Sequence, residues 1–309
     1  MNIVAKGIGA HFKTKIFPSL KNVGINVPFI ISKNKENLSF AKDNGIQMVE
    51  SLEDIDPIDN SLLYISTPIS KHYEDCVKAF NNGLHVICEK PLTESSKLSK
   101  ELFKLAESKN LLLFEVCMYQ YHPQFLMLQE MYKRNKHAKI PQKISLSFTI
   151  PHLPPDNFRY NKELGGGAIL DVGYYPISCV TALEDSLMIA DKNIIFENDL
   201  PQFGKVRYFC KEKLSEFIVK FGIGYEYSNF CKLEFNDEIV EFDRFFSKPL
   251  EFDSKTIFKK NNTSSLQIHN VNQFEIMFDH YLNILKSESK DEYHNLKNKT
   301  LQISENLGF

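Results

Sequence analysis

The first 120 residues alternate short apolar runs with amphipathic stretches of helical spacing, and this rhythm restricts the fold more than any other feature. Strands that alternate with helices in this way form a parallel sheet with helices on both faces. The stretches between the apolar runs end in Gly or Asn, which is typical of helix ends. The predicted strands are residues 2–5, 27–31, 61–65, 85–88 and 111–116. The sequence therefore predicts a doubly wound α/β domain over residues 1–120.

Beyond about residue 122 the pattern changes to a period of two. The segments "KISLSFTIP" and "EFIVKFGIGYEY" alternate apolar and polar residues, which predicts long antiparallel strands. In the second segment one face of the strand would carry Phe217, Val219, Phe221, Ile223, Tyr225 and Tyr227. This face would cover helices of its own domain or meet another subunit. We expect an α+β domain over residues 121–309 with a large, mostly antiparallel open sheet.

Composition excludes several classes of protein. A net charge of −2 argues against nucleic acid or an anionic membrane as the main partner, and no run of 18 apolar residues is present. The six cysteines contain no C-x-x-C pair and lie mostly in apolar runs, so we expect buried thiols. The nine histidines lack the spacing of metal ligands, so no metal site is predicted. We expect a cytoplasmic protein without a membrane segment.

The first strand leads into "GIGAHF", where Gly7 and Gly9 precede a helix. Backbone amides at such a helix start can hold a pyrophosphate. Phe12 occupies the third glycine position of the usual fingerprint, and Lys6 replaces the apolar residue at the strand end. An ordinary turn between a strand and a helix is the alternative interpretation.

The ends of the second and third strands suggest which dinucleotide is bound. The second strand is followed by Ser32 and Lys33, with no carboxylate before Glu36. A hydroxyl and an ammonium suit a 2′-phosphate better than a ribose diol, which favours NADP over NAD. The third strand is followed by "STP", at the sheet edge where ligands of such folds bind, although a plain turn explains these residues equally well.

Two motifs carry side chains suited to hydride transfer. "VICEKPLTES" places Lys90 at the end of a strand, and "GGGAILDVGYYP" places Asp171 and Tyr175 four residues apart, on one face of a helix that begins at Ala168. A phenol with a pKa of ~10 is a poor base near neutral pH, and a nearby ammonium favours the phenolate. A solvated surface lysine and a glycine-rich turn before a buried helix are the alternatives.

Together, "CEKP" and "GGGAILDVGYYPIS" resemble the glucose–fructose oxidoreductase/inositol dehydrogenase family (Gfo/Idh/MocA). The segments "STPISKH", "MYQYHPQF" and "FRYNKELGGGA" follow in the family's order, so the resemblance covers nearly the whole chain. It implies a Rossmann domain and an NAD(P)-dependent oxidoreductase that acts on a sugar, keto-sugar or sugar nucleotide. Tyr175 would donate or accept the proton, assisted by Lys90, and Asp171 would orient the substrate. In this family the Lys-Pro bond of the EKP motif is commonly cis, so we expect a cis bond between Lys90 and Pro91. Family members assemble as dimers or tetramers, so we expect a homodimer or homotetramer.

The same resemblance assigns the remaining site residues. Tyr119 and Arg159 would join Asp171 and Tyr175 at the substrate, although Arg159 is equally suited to pair with an acid of the fold, and His122 is interpreted as structural. The predicted cofactor-binding residues are Gly7, Gly9, Ala10, His11, Phe12, Ser32, Lys33, Ser66, Thr67, Pro68, His72, Glu89 and Lys90. A dehydrogenase for an aldose or a dihydrodiol, a tetrapyrrole reductase and a non-catalytic dinucleotide sensor of the same fold are the open alternatives.

Overall fold

A computed structural model describes residues 1–55, 62–133, 140–287 and 289–308. The chain forms two compact units, one of Met1–Cys117 with Phe274–Gly308 and one of Met118–Gln273. Ser61, the first residue of a predicted strand, and Phe309, the last residue of the second predicted domain, lie outside the described residues.

The first unit is built on a parallel sheet of six strands. They are β1 (Asn2–Lys6), β2 (Asn26–Ile31), β3 (Gln47–Val49), β4 (Leu62–Ile65), β5 (His85–Cys88) and β6 (Leu113–Glu115). Their order is β3-β2-β1-β4-β5-β6, so the winding direction reverses between β1 and β4. This is the doubly wound arrangement that binds dinucleotides, and it confirms the predicted fold. The sequence did not predict β3, which has only three residues.

Helices connect these strands. A π-helical turn over Phe12–Ile16 continues as α1 (Phe17–Asn22). The later connections hold α2 (Asn37–Asp43), α3 (Ile69–Asn81) and α4 (Ser96–Ser108). All four residues of β4 are buried, as expected for a central strand covered on both faces.

The second unit contains α5 (Pro123–Lys133), α6 (Tyr174–Leu183) and an eight-stranded sheet. The strands are β7 (Lys143–Ile150), β8 (Leu187–Glu197), β9 (Leu200–Cys210), β10 (Ser215–Ile223), β11 (Ser228–Glu234), β12 (Glu238–Asp243), β13 (Ser254–Lys260) and β14 (Thr263–His269). Their order is β14-β13-β12-β11-β7-β10-β9-β8. The predicted large, mostly antiparallel sheet is confirmed.

One feature of this sheet differs from the prediction. The two segments expected to form antiparallel strands, β7 and β10, pair with each other in parallel. Each is antiparallel to its other neighbour, β11 or β9. A long connection that contains α6 and the β8–β9 hairpin separates β7 from β10, and such a crossover brings the second strand back in the same direction.

The aromatic face predicted for β10 is covered within the same chain. Phe217, Val219 and Phe221 are fully buried. The ring of Tyr132 on α5 meets Phe217 edge to face, and a Cβ atom added to Gly204 would lie 2.1 Å from the ring of Phe221. The strand ends at Ile223, so the two predicted tyrosines beyond it do not continue this face.

Two C-terminal helices, α7 (Gln273–Ser287) and α8 (Lys290–Asn306), follow the second sheet. The ring of Tyr281 stacks on Phe114 with centroids 4.6 Å apart, and its hydroxyl donates to the carbonyl of Glu115. The backbone N–H of Leu113 donates to the hydroxyl of Tyr293. Residues 274–308 therefore group with the first unit, whereas the predicted division at residue 120 assigned them to the second domain.

Three general properties complete the description. The six cysteines are all buried as thiols, which confirms that prediction. Among the described residues, no three His, Cys, Asp or Glu side chains come together in a way that could hold a metal ion. No helix in the same ranges has the length and apolar character needed to cross a membrane.

Candidate active site

The carboxyl ends of β1 and β4 border the point where the winding of the parallel sheet reverses, and Gly7 and Gly9 follow β1 there. Gly7 has φ +89°, and a Cβ atom at this position would lie 2.3 Å from the carbonyl carbon of Ser66. A Cβ atom at Gly9 would meet nothing within 4 Å. Gly7 is therefore required by the fold itself, whereas Gly9 and the exposed Ala10 leave the start of the helix open to a ligand.

Both departures from the glycine fingerprint have partners inside the first unit. The side chain of Phe12 is fully buried, with its ring 5.9 Å to 6.3 Å from those of Phe17, Phe40 and Tyr64. It belongs to the core beneath the helix, so only its backbone can face a ligand. Lys6 donates to the buried carboxylate of Asp75 over 2.6 Å.

The end of β2 carries the residues that we associate with a 2′-phosphate. The hydroxyl of Ser32 accepts hydrogen bonds from the side chain of Asn37 and from the backbone of Asn34. Lys33 is exposed, and residues 32–35 include no acid. Glu36, the first carboxylate, is exposed and precedes α2.

The turn after β4 is held tightly from two sides. The hydroxyl of Ser66 donates to the carbonyl of Gly7, and the hydroxyl of Thr67 donates to Asp75. His72 is buried, and its ring nitrogens lie 2.9 Å from the carbonyl oxygen of Thr67 and 3.0 Å from that of Pro91. Pro68 ends the turn directly before α3.

Glu89 and Lys90 follow β5, and the bond from Lys90 to Pro91 is cis, as expected. The carboxylate of Glu89 accepts from the hydroxyl of Tyr64 over 2.6 Å and lies 3.0 Å from His11 Nε2. Burial acts to raise the pKa of Glu89, but His11, the bond from Tyr64 and the charge of Lys90 together lower it. Glu89 therefore carries a negative charge beside Lys90 at the sheet edge.

In the second unit the three glycines form a tight turn after residues 158–161. A Cβ atom at Gly166 would lie 2.6 Å to 2.8 Å from the carbonyl oxygens of Phe158, Arg159 and Asn161. The turn leads into Ile169–Gly173, which is a π-helical turn and not the regular α-helix that we predicted. Its defining bond runs from the N–H of Gly173 to the carbonyl of Ala168, and such distortions are frequent at functional sites.

Asp171 lies on this π-helical turn and pairs with Arg159. The Nε atom of Arg159 donates to one carboxylate oxygen and Nη2 lies 3.5 Å from the other, which is a two-pronged contact. Both side chains are largely buried, with 27% and 13% of their surfaces exposed. Burial acts to lower the pKa of Arg159, but the charge of Asp171 raises it overall, so the guanidinium stays charged.

Tyr175 follows on α6 in a nest of aromatic rings. The rings of Tyr119, Phe148 and Phe246 lie 5.1 Å to 6.0 Å from its own. Tyr119 is fully buried and hydrogen-bonded to Ser178, whose hydroxyl also lies 2.9 Å from the carbonyl oxygen of Tyr175. Tyr119 thus packs against the ring of Tyr175 and is linked to it through Ser178.

The sequence did not identify Phe148, Phe246 and Ser178 as parts of this site. Phe148 follows the period-two pattern of β7, and Ser178 lies three residues beyond Tyr175, so each had a local signal. Phe246 had none. Tyr174 is buried, as expected for a packing residue.

The second unit thus brings together a phenol, an acid and a guanidinium, and the first unit presents an ammonium beside a dinucleotide-type crevice. A phenol that exchanges a proton and a carboxylate that accepts hydrogen bonds from hydroxyls are suited to interconverting an alcohol and a carbonyl.

Known proteins resemble the two parts of the chain to different degrees. Residues 2–116 match the model of the oxidoreductase family with an NAD-binding Rossmann fold (Gfo/Idh/MocA). A dTDP-3,4-didehydro-2,6-dideoxy-alpha-D-glucose 3-reductase of Actinomadura kijaniata is 38% identical over 119 residues, which are 38% of this chain and 36% of the relative. D-xylose 1-dehydrogenase (NADP(+)) 2 of Haloferax volcanii is 30% identical over 175 residues, 56% of this chain and 53% of the relative. The aligned part is thus less than two thirds of the length of either relative.

Solved structures extend the similarity of fold to the whole chain. A 3-ketoreductase from Actinomadura kijaniata, in complex with NADP and TDP-benzene, has a TM-score of 0.89 at 23% identity, over 99% of this chain and 95% of that one. An aldose-aldose oxidoreductase from Caulobacter crescentus has a TM-score of 0.83 at 16% identity, over 99% of this chain and 96% of that one. At these identities the likeness concerns the fold. The sequence match goes further for residues 2–116, which match the Rossmann-fold, NAD-binding model of the Gfo/Idh/MocA oxidoreductase family.

Proposed function

We propose that the protein is an NADP-dependent oxidoreductase that interconverts a carbonyl and an alcohol on a keto-sugar or sugar nucleotide. The observation that carries this proposal is Tyr175, held in its aromatic nest on the segment that also bears the Arg159-paired Asp171. The names of relatives support the substrate class, since they include reductases of a dTDP-linked keto-sugar and NADP-dependent xylose dehydrogenases. An aldose or dihydrodiol dehydrogenase is the alternative within the same chemistry.

The winding of the parallel sheet reverses between β1 and β4, and this position is its switch point. The residues around the switch point fit a dinucleotide. A Cβ atom added to Gly9 would meet nothing within 4 Å, and Ala10 is exposed, so the backbone here is open to close approach of a pyrophosphate. Ser32 and Lys33 suit the 2′-phosphate of NADP. When bound, the reduced cofactor supplies the hydride.

Tyr175 handles the proton of the reaction. A carbonyl carbon that accepts a hydride leaves its oxygen in need of a proton, and the Tyr175 hydroxyl donates it, so the C=O bond becomes CH–OH and the tyrosine becomes a phenolate. In the oxidative direction the phenolate takes the proton back. Asp171 accepts a hydrogen bond from a substrate hydroxyl. Lys90 enters the mechanism through the resemblance, as the ammonium that favours the phenolate.

A non-catalytic sensor of the same fold is less well supported. Lys6 and Phe12 favour a sensor because they depart from the glycine fingerprint of nucleotide-binding sites. Lys6 pairs with Asp75 and Phe12 fills the core, so both departures have roles that leave the crevice intact.

Cofactor binding is tested by titration with NADPH and then NADH, following the fluorescence of the reduced nucleotide. The chain has no tryptophan, so protein emission interferes little. We expect saturable enhancement at micromolar NADPH and a weaker response to NADH. No response to either, with no nucleotide released on denaturation, would exclude the enzyme.

Catalysis is tested by Tyr175→Phe, with Tyr174→Phe as the matched control on the neighbouring position. We expect Tyr175→Phe to lower turnover of a keto-sugar by ~10²–10⁴ while the NADPH dissociation constant stays the same. Tyr174→Phe should keep turnover within a few-fold. If Lys90→Met and Tyr175→Phe combine non-additively, both residues act in one step; equal turnover by wild type and Tyr175→Phe would remove the phenol from the mechanism.

We also propose that the protein forms a homodimer or homotetramer in the cytoplasm. The face of the eight-stranded sheet opposite the buried aromatic side chains exposes Phe230, Leu266 and Ile268, and the six buried thiols suit a reducing compartment. Light scattering at micromolar concentration should give a multiple of 35.8 kDa, and Phe230→Glu with Leu266→Glu should shift it to the monomer. A monomeric mass for the wild type contradicts this assembly.

A further inference from the structure

Lys6 is the last residue of β1, at the edge of the parallel sheet where a dinucleotide would bind. Its ammonium lies 2.6 Å from Oδ1 of Asp75, which is on α3, 69 residues further along the chain. The side chain of Asp75 is only 6% exposed and that of Lys6 is 26% exposed. A carboxylate buried to this degree is costly unless it is paired, and Lys6 provides that partner.

The second oxygen of Asp75 holds the turn after β4. The hydroxyl of Thr67 donates to Oδ2 of Asp75 over 2.8 Å. One turn earlier on α3, His72 Nε2 lies 2.9 Å from the carbonyl oxygen of Thr67. Thr67 is therefore fixed through both its side chain and its backbone by two residues of one helix face.

The strand ends that border the switch point are joined at the backbone as well. The N–H of Ser66 donates to the carbonyl of Lys6, and the Ser66 hydroxyl donates to the carbonyl of Gly7. A Cβ atom at Gly7 would lie 2.4 Å from the backbone nitrogen of Thr67. The backbone thus brings the two sides of the crevice together, and the chain of contacts from Lys6 through Asp75 to Thr67 joins the same two sides through side chains.

We propose that Lys6 and Asp75 are positioning residues for the cofactor, and that they act by fixing the Ser66–Thr67 turn against the end of β1. This inference depends on the proposed function, since it assumes that a dinucleotide binds at the switch point. It explains why a lysine replaces an apolar residue at the end of β1. Lys6, which departs from the fingerprint, is the partner of Asp75. Asp75 in turn holds Thr67 on the opposite side of the crevice.

The pair is tested by NADPH affinity and thermal stability in four variants and one control variant. Thr67→Val removes the hydroxyl with little change in shape, and Thr67→Ser restores it. Lys6→Met leaves the Asp75 carboxylate without its cation. The double variant Lys6→Met/Asp75→Leu replaces the pair by apolar side chains, an exchange that often keeps stability, but it gives Thr67 no acceptor. Thr263→Val removes a hydrogen-bonded hydroxyl at the first residue of β14 and is the matched control.

We expect Thr67→Val to weaken NADPH binding by ~3–10-fold, the equivalent of one lost hydrogen bond, and Thr67→Ser to bind like the wild type. Lys6→Met should lower the melting temperature. The double variant should recover much of the lost melting temperature and still bind NADPH as weakly as Thr67→Val. If the ion pair served stability alone, the double variant would recover NADPH affinity as well. Thr263→Val should bind NADPH normally.

Two results would overturn the inference. Wild-type NADPH affinity in the double variant, with weak binding by Thr67→Val, would mean that Thr67 contacts the cofactor directly and that the ion pair only stabilises the fold. Unchanged NADPH affinity in Thr67→Val would exclude a role of the Thr67 hydroxyl in positioning the cofactor. Failure of the wild-type protein to bind either nucleotide would instead contradict the proposed function, and this inference with it.

Discussion

Arg159 illustrates how a single side chain acquires its role from the fold. The sequence left open whether it meets the substrate or pairs with an acid, and the structure pairs it with Asp171. Its backbone carbonyl also accepts from the N–H of Gly167. One residue therefore holds the glycine turn through its backbone and the acid through its side chain.

This dual contact predicts the behaviour of variants at position 159. Arg159→Met should lower turnover by ~10²-fold, because Asp171 loses the contact that orients it and small displacements at an active site are costly. Arg159→Lys keeps the charge but not the two-pronged geometry, so it should recover part of the activity. The measurement is steady-state kcat alongside the NADPH dissociation constant, which should not change.

A second arginine provides the control for that experiment. Arg207 on β9 is paired with Glu216 but is 52% exposed, so Arg207→Met should leave turnover as it is. Equal kcat in the wild type and Arg159→Met would show that the pair with Asp171 has no part in the reaction.

At the scale of elements, the strand ends and turns carry most of the predicted chemistry. Four of the five predicted strands of the first unit coincide with observed strands to within two residues at either end. The fifth, β4, begins at Leu62, which is the first residue of its described range. The two π-helical turns, Phe12–Ile16 and Ile169–Gly173, were not predicted. Apolar periodicity reports which face is buried, and it does not distinguish a π turn from an α turn over one cycle.

Gly7 and Gly9 give a matched pair of variants at this scale. Gly7→Ala should lower the free energy of unfolding by about 1–3 kcal/mol or more, because φ is +89° and the new methyl group meets backbone atoms of Ser66 and Thr67. Gly9→Ala meets nothing within 4 Å, so its stability should stay within about 1 kcal/mol of the wild type.

The two glycine variants differ further in what they report about the cofactor. If a pyrophosphate lies against Gly9, then Gly9→Ala weakens NADPH binding without loss of stability. Urea unfolding and nucleotide titration of both variants separate the two effects. A destabilised Gly9→Ala protein, or a Gly7→Ala protein as stable as the wild type, would contradict the assignment of these roles.

At the scale of the whole molecule, buried histidines make stability depend on pH. His122 is fully buried before α5, its Nδ1 accepts from the N–H of Gln124, and burial together with the nearby Lys248 lowers its pKa to about 3. Between pH 6.5 and about 3 the unfolded chain binds a proton at this residue that the folded chain does not. Stability is therefore fully present above pH 6.5 and is lost as the pH falls.

The expected slope is about 1.4 kcal/mol of unfolding free energy for each pH unit, from His122 alone. His122→Asn keeps an acceptor for the N–H of Gln124 but does not titrate, so its acid limb should be shallower. Urea unfolding at pH 7, 6 and 5 measures this, and the exposed His294→Asn serves as the control. An identical slope in wild type and His122→Asn would exclude His122 as the source.

The amino-acid sequence by itself determined the class of the fold and the motifs of the site. Buried parallel strands and amphipathic helices leave periodic patterns within a few residues, and "EKP" and "GGG-x-x-x-D-x-G-x-Y" lie within short segments. The tertiary structure alone decided the partners: Asp75 for Lys6, Arg159 for Asp171, the aromatic nest of Tyr175 and the parallel pairing of β7 with β10. It also placed residues 274–308 with the first unit. These contacts join residues that are 12 or more positions apart along the chain, beyond the few residues over which a periodic pattern acts, so each depends on the packing of whole elements.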